Sequence, residues 1–315
     1  MASNNPSNEL NITRVYDAPV KLVWDAWTDP NQVAQWWGPR GFTLTTHSKE
    51  LKVGGFWRYT MHGPDGVDYP NTTLYLEVEP LAKLVYDHGG SDDRPPMFRV
   101  TVLFSENQGK TTMQMTMALP TPEEAEQTRR FIKKAGGDAT WDRLAEYLAE
   151  HVDHKELFVI NRTFAAPIQR MFDMWTQPEH LGHWLPPTGF TMNFIEQDIR
   201  TGGTSFYSMG NGQFTFYGRS HYLEINRPDR LTFTQQFCDQ NGNITQHPGA
   251  PVWPQTWLTQ VTLSEEGPNQ TRVTVTSEVY GTASPEEKAA FVQERSGMTQ
   301  GWTGSFDKLE GYLGA

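Results

Sequence analysis

From Phe42 to about Leu119, apolar and polar residues alternate with a period of two, the spacing of strands that bury one face. Turn signals break the stretch at Gly54-Gly55, at Pro64-Asp65-Gly66 and at Asn107-Gln108-Gly109. About six strands joined by hairpins are therefore predicted. A further strand, "ITRVYDA", precedes them and runs into Ala18-Pro19. There the period changes. Val20, Val23, Trp24 and Trp27 recur at helical spacing after Pro19, and proline suits the first helical turn. Asp29-Pro30 starts a second short helix that ends in Trp36-Trp37 and is stopped by Gly38-Pro39. Beyond the strands, Thr121 with Glu123 and Glu124 opens another helix, which Gly136-Gly137 interrupts or ends. A last helix carries Trp141, Leu144 and Leu148 on one face.

The whole order then recurs. A shift of 148 residues carries Pro19 onto Pro167, Trp27 onto Trp175, Trp36 onto Trp184 and Gly54-Gly55 onto Gly202-Gly203. Small insertions follow, after which "YLEVEP" (75–80) faces "YLEINR" (222–227) and "WDRLAEYL" (141–148) faces "FDKLEGYL" (306–313). A repeat of that length makes two like domains rather than a solenoid. They are placed at 12–151 and 157–315, with the polar "EHVDHKE" as the joint. A sheet with one apolar face must bury it, and the last helix is the only element long enough to cover it. The fold class expected is α+β: two tandem domains, each a curved antiparallel sheet around a long C-terminal helix.

Strand alternation selects the inward residues. In the first copy Phe98, Val100, Val102 and Phe104 share a face with Met113, Met115 and Met117, joined by Tyr59, Met61, Leu84 and Tyr86. The second copy offers Tyr207, Met209, Trp257 and Thr259, with Val273, Val275 and Ser277 facing the methionines. Such a surface is deep, curved and mainly apolar with a few polar tips, the chemistry of a small-molecule pocket. A methionine stripe also serves as plain core. The expected cavity lining is Trp36, Tyr59, Met61, Tyr86, Phe98, Val100, Met113 and Met115 in the first copy, and Trp184, Tyr207, Met209, Trp257 and Thr259 in the second. For Trp36 and Trp184, core packing beneath the long helix is the competing expectation. Trp37 is matched by Leu185, so that place is expected to need only apolar character. The methionine stripe against valine and serine leads to the expectation that the copies bind unlike ligands, or that only the first binds one. Glu77 and Glu224 each follow a tyrosine, Tyr75 or Tyr222, by two residues. A mid-strand carboxylate commonly faces solvent. Turned inward, either would be a polar cavity group with a raised pKa, fit for acid–base work.

Composition narrows the function classes. A net charge of −11 without any Lys/Arg-rich block argues against nucleic acid or an anionic membrane as partner. The polar opening "MASNNPSNELN" lacks a signal-peptide core, no apolar run nears a membrane span, and Cys238 is the only cysteine, so a cytoplasmic location is expected. Two like domains in one chain take the place of a dimer, so a monomer is expected. Catalysis needs a nucleophile, base or metal set at workable spacing. His180 and His183 lie three apart, as do His151 and His154, but neither pair has a recurring acidic partner. They read as surface or capping residues, and the lone cysteine as structural. The paired glycines sit at hairpins, not in a phosphate-cradling loop. No catalytic residue, metal or cofactor is expected.

"DPNQVAQWWGPRGFT", "KVGGFWRYTMHGPDG" and "YLEVEPLAKLVY", in that order and spacing, resemble the bacterial START-like proteins related to the heat-shock-protein-90 ATPase activator homologue, within the SRPBCC ligand-binding superfamily. The second copy keeps "DMWTQPEHLGHW", "RTGGTSFYSM", "YLEINRPDRLTF" and "GWTGSFDKLEGYL", but loses the second tryptophan and the Pro-Asp-Gly turn. The resemblance implies a helix-grip fold with a cavity between sheet and helix. It also implies binding of hydrophobic aromatic molecules and, further off, polyketide cyclisation. Nothing in the chain resembles the co-chaperone's separate N-terminal domain. The leading expectation is a non-catalytic binder or carrier of a small hydrophobic, aromatic molecule. A cyclase, dehydratase or lyase acting on a polyketide-like substrate in the same cavity is second, and a protein–protein adaptor or co-chaperone-like module third.

Overall fold

The first repeat folds as β1 (Glu9–Tyr16), α1 (Val20–Thr28), α2 (Pro30–Trp36), β2 (Thr43–Lys49), β3 (Phe56–His62), β4 (Asp68–Glu79), β5 (Lys83–His88), β6 (Phe98–Asn107), β7 (Lys110–Ala118), α3 (Pro122–Lys134) and α4 (Ala139–Val152). The second follows as β8 (Phe158–Phe164), α5 (Ile168–Thr176), α6 (Pro178–Trp184), β9 (Thr191–Glu196), β10 (Thr204–Gly210), β11 (Thr215–Asn226), β12 (Arg230–Cys238), β13 (Trp257–Gly267), β14 (Gln270–Val279), α7 (Pro285–Gln293) and α8 (Arg295–Gly314). This computed structural model describes residues 8–90, 95–134, 139–152, 157–247, 249–267 and 269–314. The chain divides into two compact units, 1–153 and 154–315. Each holds one seven-stranded antiparallel sheet, in the orders β1-β7-β6-β5-β4-β3-β2 and β8-β14-β13-β12-β11-β10-β9. These are meanders in which the first strand returns to pair with the last, the helix-grip arrangement expected. Among the described residues, no helix is long and apolar enough to cross a membrane.

Local chemistry sets the joints. The Asp29 side chain accepts from the Asn31 and Gln32 amides, and Pro30 occupies the first turn, so α2 begins where α1 ends. Gly54 and Gly202 hold left-handed backbone, with φ of 78° and 79°. Their neighbours Gly55 and Gly203 are needed for space: a Cβ there would lie 2.2 Å from the Glu50 carbonyl oxygen and 2.1 Å from that of Asp198. The glycine turn clamps the strand across from it. Gly54 donates to the Tyr75 carbonyl at 2.8 Å, and Tyr75 donates back to Gly55 at 3.0 Å; Gly202, Gly203 and Tyr222 repeat the pattern at 2.7 and 3.0 Å.

A bulge follows each clamped tyrosine. Tyr75 pairs with Tyr86 but Val78 with Leu84, and Tyr222 pairs with Phe233 but Ile225 with Leu231. The extra residue resets the alternation, so Tyr75 and Val78 face the core while Glu77 between them faces out. The C-terminal helices cover the concave faces. In the first domain Trp27, Trp36, Met113 and Leu144 share one core; in the second Trp175, Trp184, Val275 and Phe306 do so. A cation from each helix gathers the carbonyls that end the second short helix. Arg143 donates to Gly38 at 2.8 Å and Pro39 at 3.0 Å, and Lys308 donates to Pro186 at 2.8 Å.

Candidate functional site

A cavity of about 290 Å³ opens in the second domain, between the concave sheet and α8. On the helical side its wall is Leu185, which follows α6, with Met298, Trp302 and Ser305 of α8. On the sheet side it is Tyr207, Met209, Phe233, Gln235 and Trp257, and Trp253 joins them from the β12–β13 loop. Among the described residues that line it there is no Asp, Glu, Lys, Arg, His or Cys. The wall is therefore aromatic, aliphatic and neutral.

Polar side chains gather in a strip on the sheet side. Gln235 Oε1 accepts from the Trp257 indole at 3.1 Å and from the Thr259 hydroxyl at 2.9 Å. Thr259 in turn lies 3.1 Å from the Ser277 hydroxyl. The Gln235 and Ser220 side chains stand by the Tyr207 hydroxyl and offset part of the effect of its burial. Tyr222 meets Ser205 at 3.1 Å. Burial disfavours phenolate, raising the Tyr207 pKa above its ordinary value and pushing Tyr222 up to about 12. Gly218 makes the strip possible, because a Cβ on it would fall 2.5 Å from the Tyr207 hydroxyl oxygen.

The corresponding space in the first domain is packed with rings. Trp37, in the place of Leu185, lies 5.4 Å from Trp27, 5.4 Å from Trp57 and 6.2 Å from Trp141, centroid to centroid. Trp57, in the place of Ser205, stacks on Tyr59 at 4.0 Å. The Lys49 ammonium sits 3.9 Å over the Trp57 ring and donates to the Trp27 carbonyl at 2.8 Å; burial brings its pKa down to about 7. His88 replaces Gln235 and stacks on Phe98 at 4.8 Å, and its burial lowers the imidazole to about 4. Val100 and Met117 stand where Thr259 and Ser277 carry the polar strip.

The expected lining residues divide accordingly. Tyr207, Met209 and Trp257 line the cavity, and Thr259 is buried just behind Gln235. Trp184 does not reach the wall. It is wholly buried and its indole donates to the Met174 carbonyl at 2.9 Å, as Trp36 does to Ala26 at 3.0 Å. Both tryptophans tie the second short helix to the first, so the core reading holds for them. Tyr59, Tyr86, Val100, Met113 and Met115 are buried in the first core, with Met61 and Phe98 packed against it. This cavity lies in the second domain, where the expectation was that the copies bind unlike ligands or that only the first binds one. Trp37 is no mere apolar filler either, given its ring contacts. Glu77 and Glu224 are corrected as polar cavity groups. The bulges turn both to the outer face, where Glu77 pairs with Lys83 at 2.5 Å and Glu224 with Arg230 at 3.0 Å.

Sequence reasoning missed Leu185, Gln235, Ser220 and Trp253 as site residues. Gly218, isolated inside a strand, was the available signal for a close approach. His180 bonds the Tyr312 hydroxyl at 3.0 Å, His183 stacks on the same ring, and His151 bonds the Tyr147 carbonyl at 2.7 Å. His154 lies outside the described residues. No group of three metal-ligating side chains occurs among the described residues. Cys238 is buried, and burial pushes its thiol pKa up.

Two seven-stranded sheets, each wrapped on its own C-terminal helix and one of them enclosing a cavity, define a tandem helix-grip protein. The family described as "Activator of Hsp90 ATPase homolog 1-like protein" matches residues 17–149 and 165–314, so the chain belongs to that family. Solution structures of proteins from Arthrobacter aurescens and Staphylococcus epidermidis are each 26% identical to it, with TM-scores of 0.42. The first match covers 46% of this chain and 87% of the other, the second 49% and 97%. The di-domain ARO/CYC protein BexL from the BE-7585A biosynthetic pathway matches 98% of this chain and 99% of its own, at 14% identity and a TM-score of 0.39. No curated protein matches the chain.

Proposed function

We propose that the chain binds and carries a small hydrophobic, aromatic molecule, one per chain, in the cavity of its second domain. The observation that carries this reading is the charge-free, ring-rich wall of a cavity of about 290 Å³. That volume is near the lower end of small-molecule sites, suited to a ligand of two or three fused or linked rings. Apolar burial supplies the affinity, and the few polar groups orient the guest. A cyclase or dehydratase acting there would have only phenols for proton transfer. Burial holds Tyr207 and Tyr222 protonated, so neither is a base near neutral pH. This supports carriage over catalysis.

Titration of the full chain with N-phenyl-1-naphthylamine, an uncharged fluorescent probe, tests the reading. One saturable site per chain is expected. A signal that rises without saturating would remove its basis.

A further inference from the structure

The polar strip has a direction, which can be followed from donors that cannot accept. The Trp257 indole N–H can only donate, so the Gln235 atom facing it at 3.1 Å is the oxygen. That oxygen also takes the Thr259 hydroxyl at 2.9 Å, which fills its two lone pairs. What Gln235 has left to offer its neighbour Tyr207 is the amide nitrogen, which can only donate. Tyr207 and Ser220 carry two hydroxyl protons, and at most one of these can be used between the pair. At least one O–H therefore has no acceptor among the described residues. Both residues line the cavity.

The rest of the wall has the same bias. The indole N–H groups of Trp175 and Trp253, both lining residues, are buried with no acceptor among the described residues. Unpartnered donors thus line a space with no charged side chain among the described residues. An ionised guest would be desolvated there without a counter-charge, at a cost of several kcal/mol or more. A neutral acceptor oxygen would complete a strip that is otherwise one partner short.

Resting on the cavity as the binding site, we infer that the ligand is an uncharged aromatic carbonyl compound, a ketone, quinone or ester, whose oxygen is seated on the Tyr207–Ser220 pair. The hydrocarbon body lies between Leu185, Phe233 and the tryptophans, and the carbonyl points into the sheet. The strip is absent from the first domain, where Val100, Met117 and His88 occupy its places.

Three probes of matched shape test this on the full chain by calorimetry: 2-acetylnaphthalene, 2-ethylnaphthalene and 2-naphthoate. The ketone is expected to bind about tenfold tighter than the ethyl compound, the effect of one well-made buried hydrogen bond. The carboxylate should bind weakest of the three. Tyr207→Phe should bring ketone and hydrocarbon to about equal affinity with the hydrocarbon's own affinity kept. Ser220→Ala, the gentler change, should reduce the preference and stands in if Tyr207→Phe does not fold. Equal binding of ketone and hydrocarbon by the unaltered protein overturns the inference while leaving the cavity reading intact. So does tightest binding by the carboxylate, or an undiminished preference in both folded variants. Saturable binding by none of the probes sinks the cavity reading itself.

Discussion

Trp37 and Leu185 occupy the same place, just past the second short helix of each domain. Around Trp37 stand Trp27, Trp57 and Trp141, close enough to leave the rings packed on one another. Around Leu185, Trp175 keeps the place of Trp27, but Ser205 and Phe306 replace Trp57 and Trp141, and the concave face stays open. One backbone plan therefore supports two interiors. The elements that build the frame are the same in both: the paired-glycine turn, the clamped tyrosine, the indole bond from the second short helix to the first, and the cation that gathers the helix-end carbonyls. What differs is side-chain volume and polarity inside the frame. A duplicated fold can thus pack one interior and open the other without altering the strand order.

The sharpest way to break the contrast is to give the second domain the first domain's residue. Leu185→Trp should place an indole in the cavity and weaken N-phenyl-1-naphthylamine binding by at least about tenfold, since the guest and the ring compete for one volume. Inserting a larger side chain into a packed site costs about 1–3 kcal/mol, but this one enters open space, so the unfolding midpoint should hold. Retained affinity in a folded variant would mean that the probe binds elsewhere.

The reverse exchange should damage the first domain. Trp37→Leu removes a ring from a cluster that cannot close around the gap. A loss of about 2–3 kcal/mol is expected, below the roughly 3–5 kcal/mol of truncating a buried tryptophan to alanine. Hydrogen exchange at the β2–β7 amides localises the effect. Adding Trp57→Ser should carve a second probe site and raise the stoichiometry from one toward two. An unchanged unfolding midpoint in Trp37→Leu would show that the ring cluster contributes little.

His88 against Gln235 gives a smaller, pH-dependent difference. The His88 imidazole has its pKa lowered from 6.5 to about 4 by burial. Between those values the unfolded chain binds the proton and the folded domain does not. Stability must therefore fall as pH drops from about 6.5 toward about 4 and level off below. His88→Gln, copying the second domain, removes this titration. Unfolding midpoints across pH 4–7 should accordingly slope less in the variant than in the unaltered chain.

Much of the frame was legible in the sequence. Period-two alternation with glycine punctuation foretold seven strands per copy, and the 148-residue shift foretold the duplication, because both are repeated local signals. The cavity was not legible in the same way. Whether a concave face stays open depends on the summed volume of side chains brought from several elements, such as Leu185, Ser205, Gln235 and Trp302. Even Trp36 and Trp184, identical in the two copies, could not be assigned to wall or core until their indole N–H groups found carbonyls on the preceding helix. The β12–β13 loop that supplies Trp253 has no aromatic counterpart in the shorter β5–β6 connection.

The smallest effect is expected at Glu77 and Glu224, and it tests the bulges. Strict alternation from Tyr75 and Tyr222 would turn both carboxylates inward, where loss of a buried charge would change binding, stability or both. The register instead skips one residue in each copy, at Leu76 and Leu223, so that the next core-facing positions are Val78 and Ile225. The carboxylates then lie on the outer face, each paired across its hairpin with a lysine or arginine that solvent screens. Glu77→Gln and Glu224→Gln should leave probe affinity unchanged and shift the unfolding midpoint by no more than about one or two degrees. Deleting Leu223 should likewise leave Glu224 outside, because Tyr222, Glu224 and Ile225 then alternate in, out and in against Phe233, Thr232 and Leu231. The folded variant is expected to keep probe binding. Loss of the cavity in it would show that the bend of the bulge, and not alternation alone, shapes the concave face.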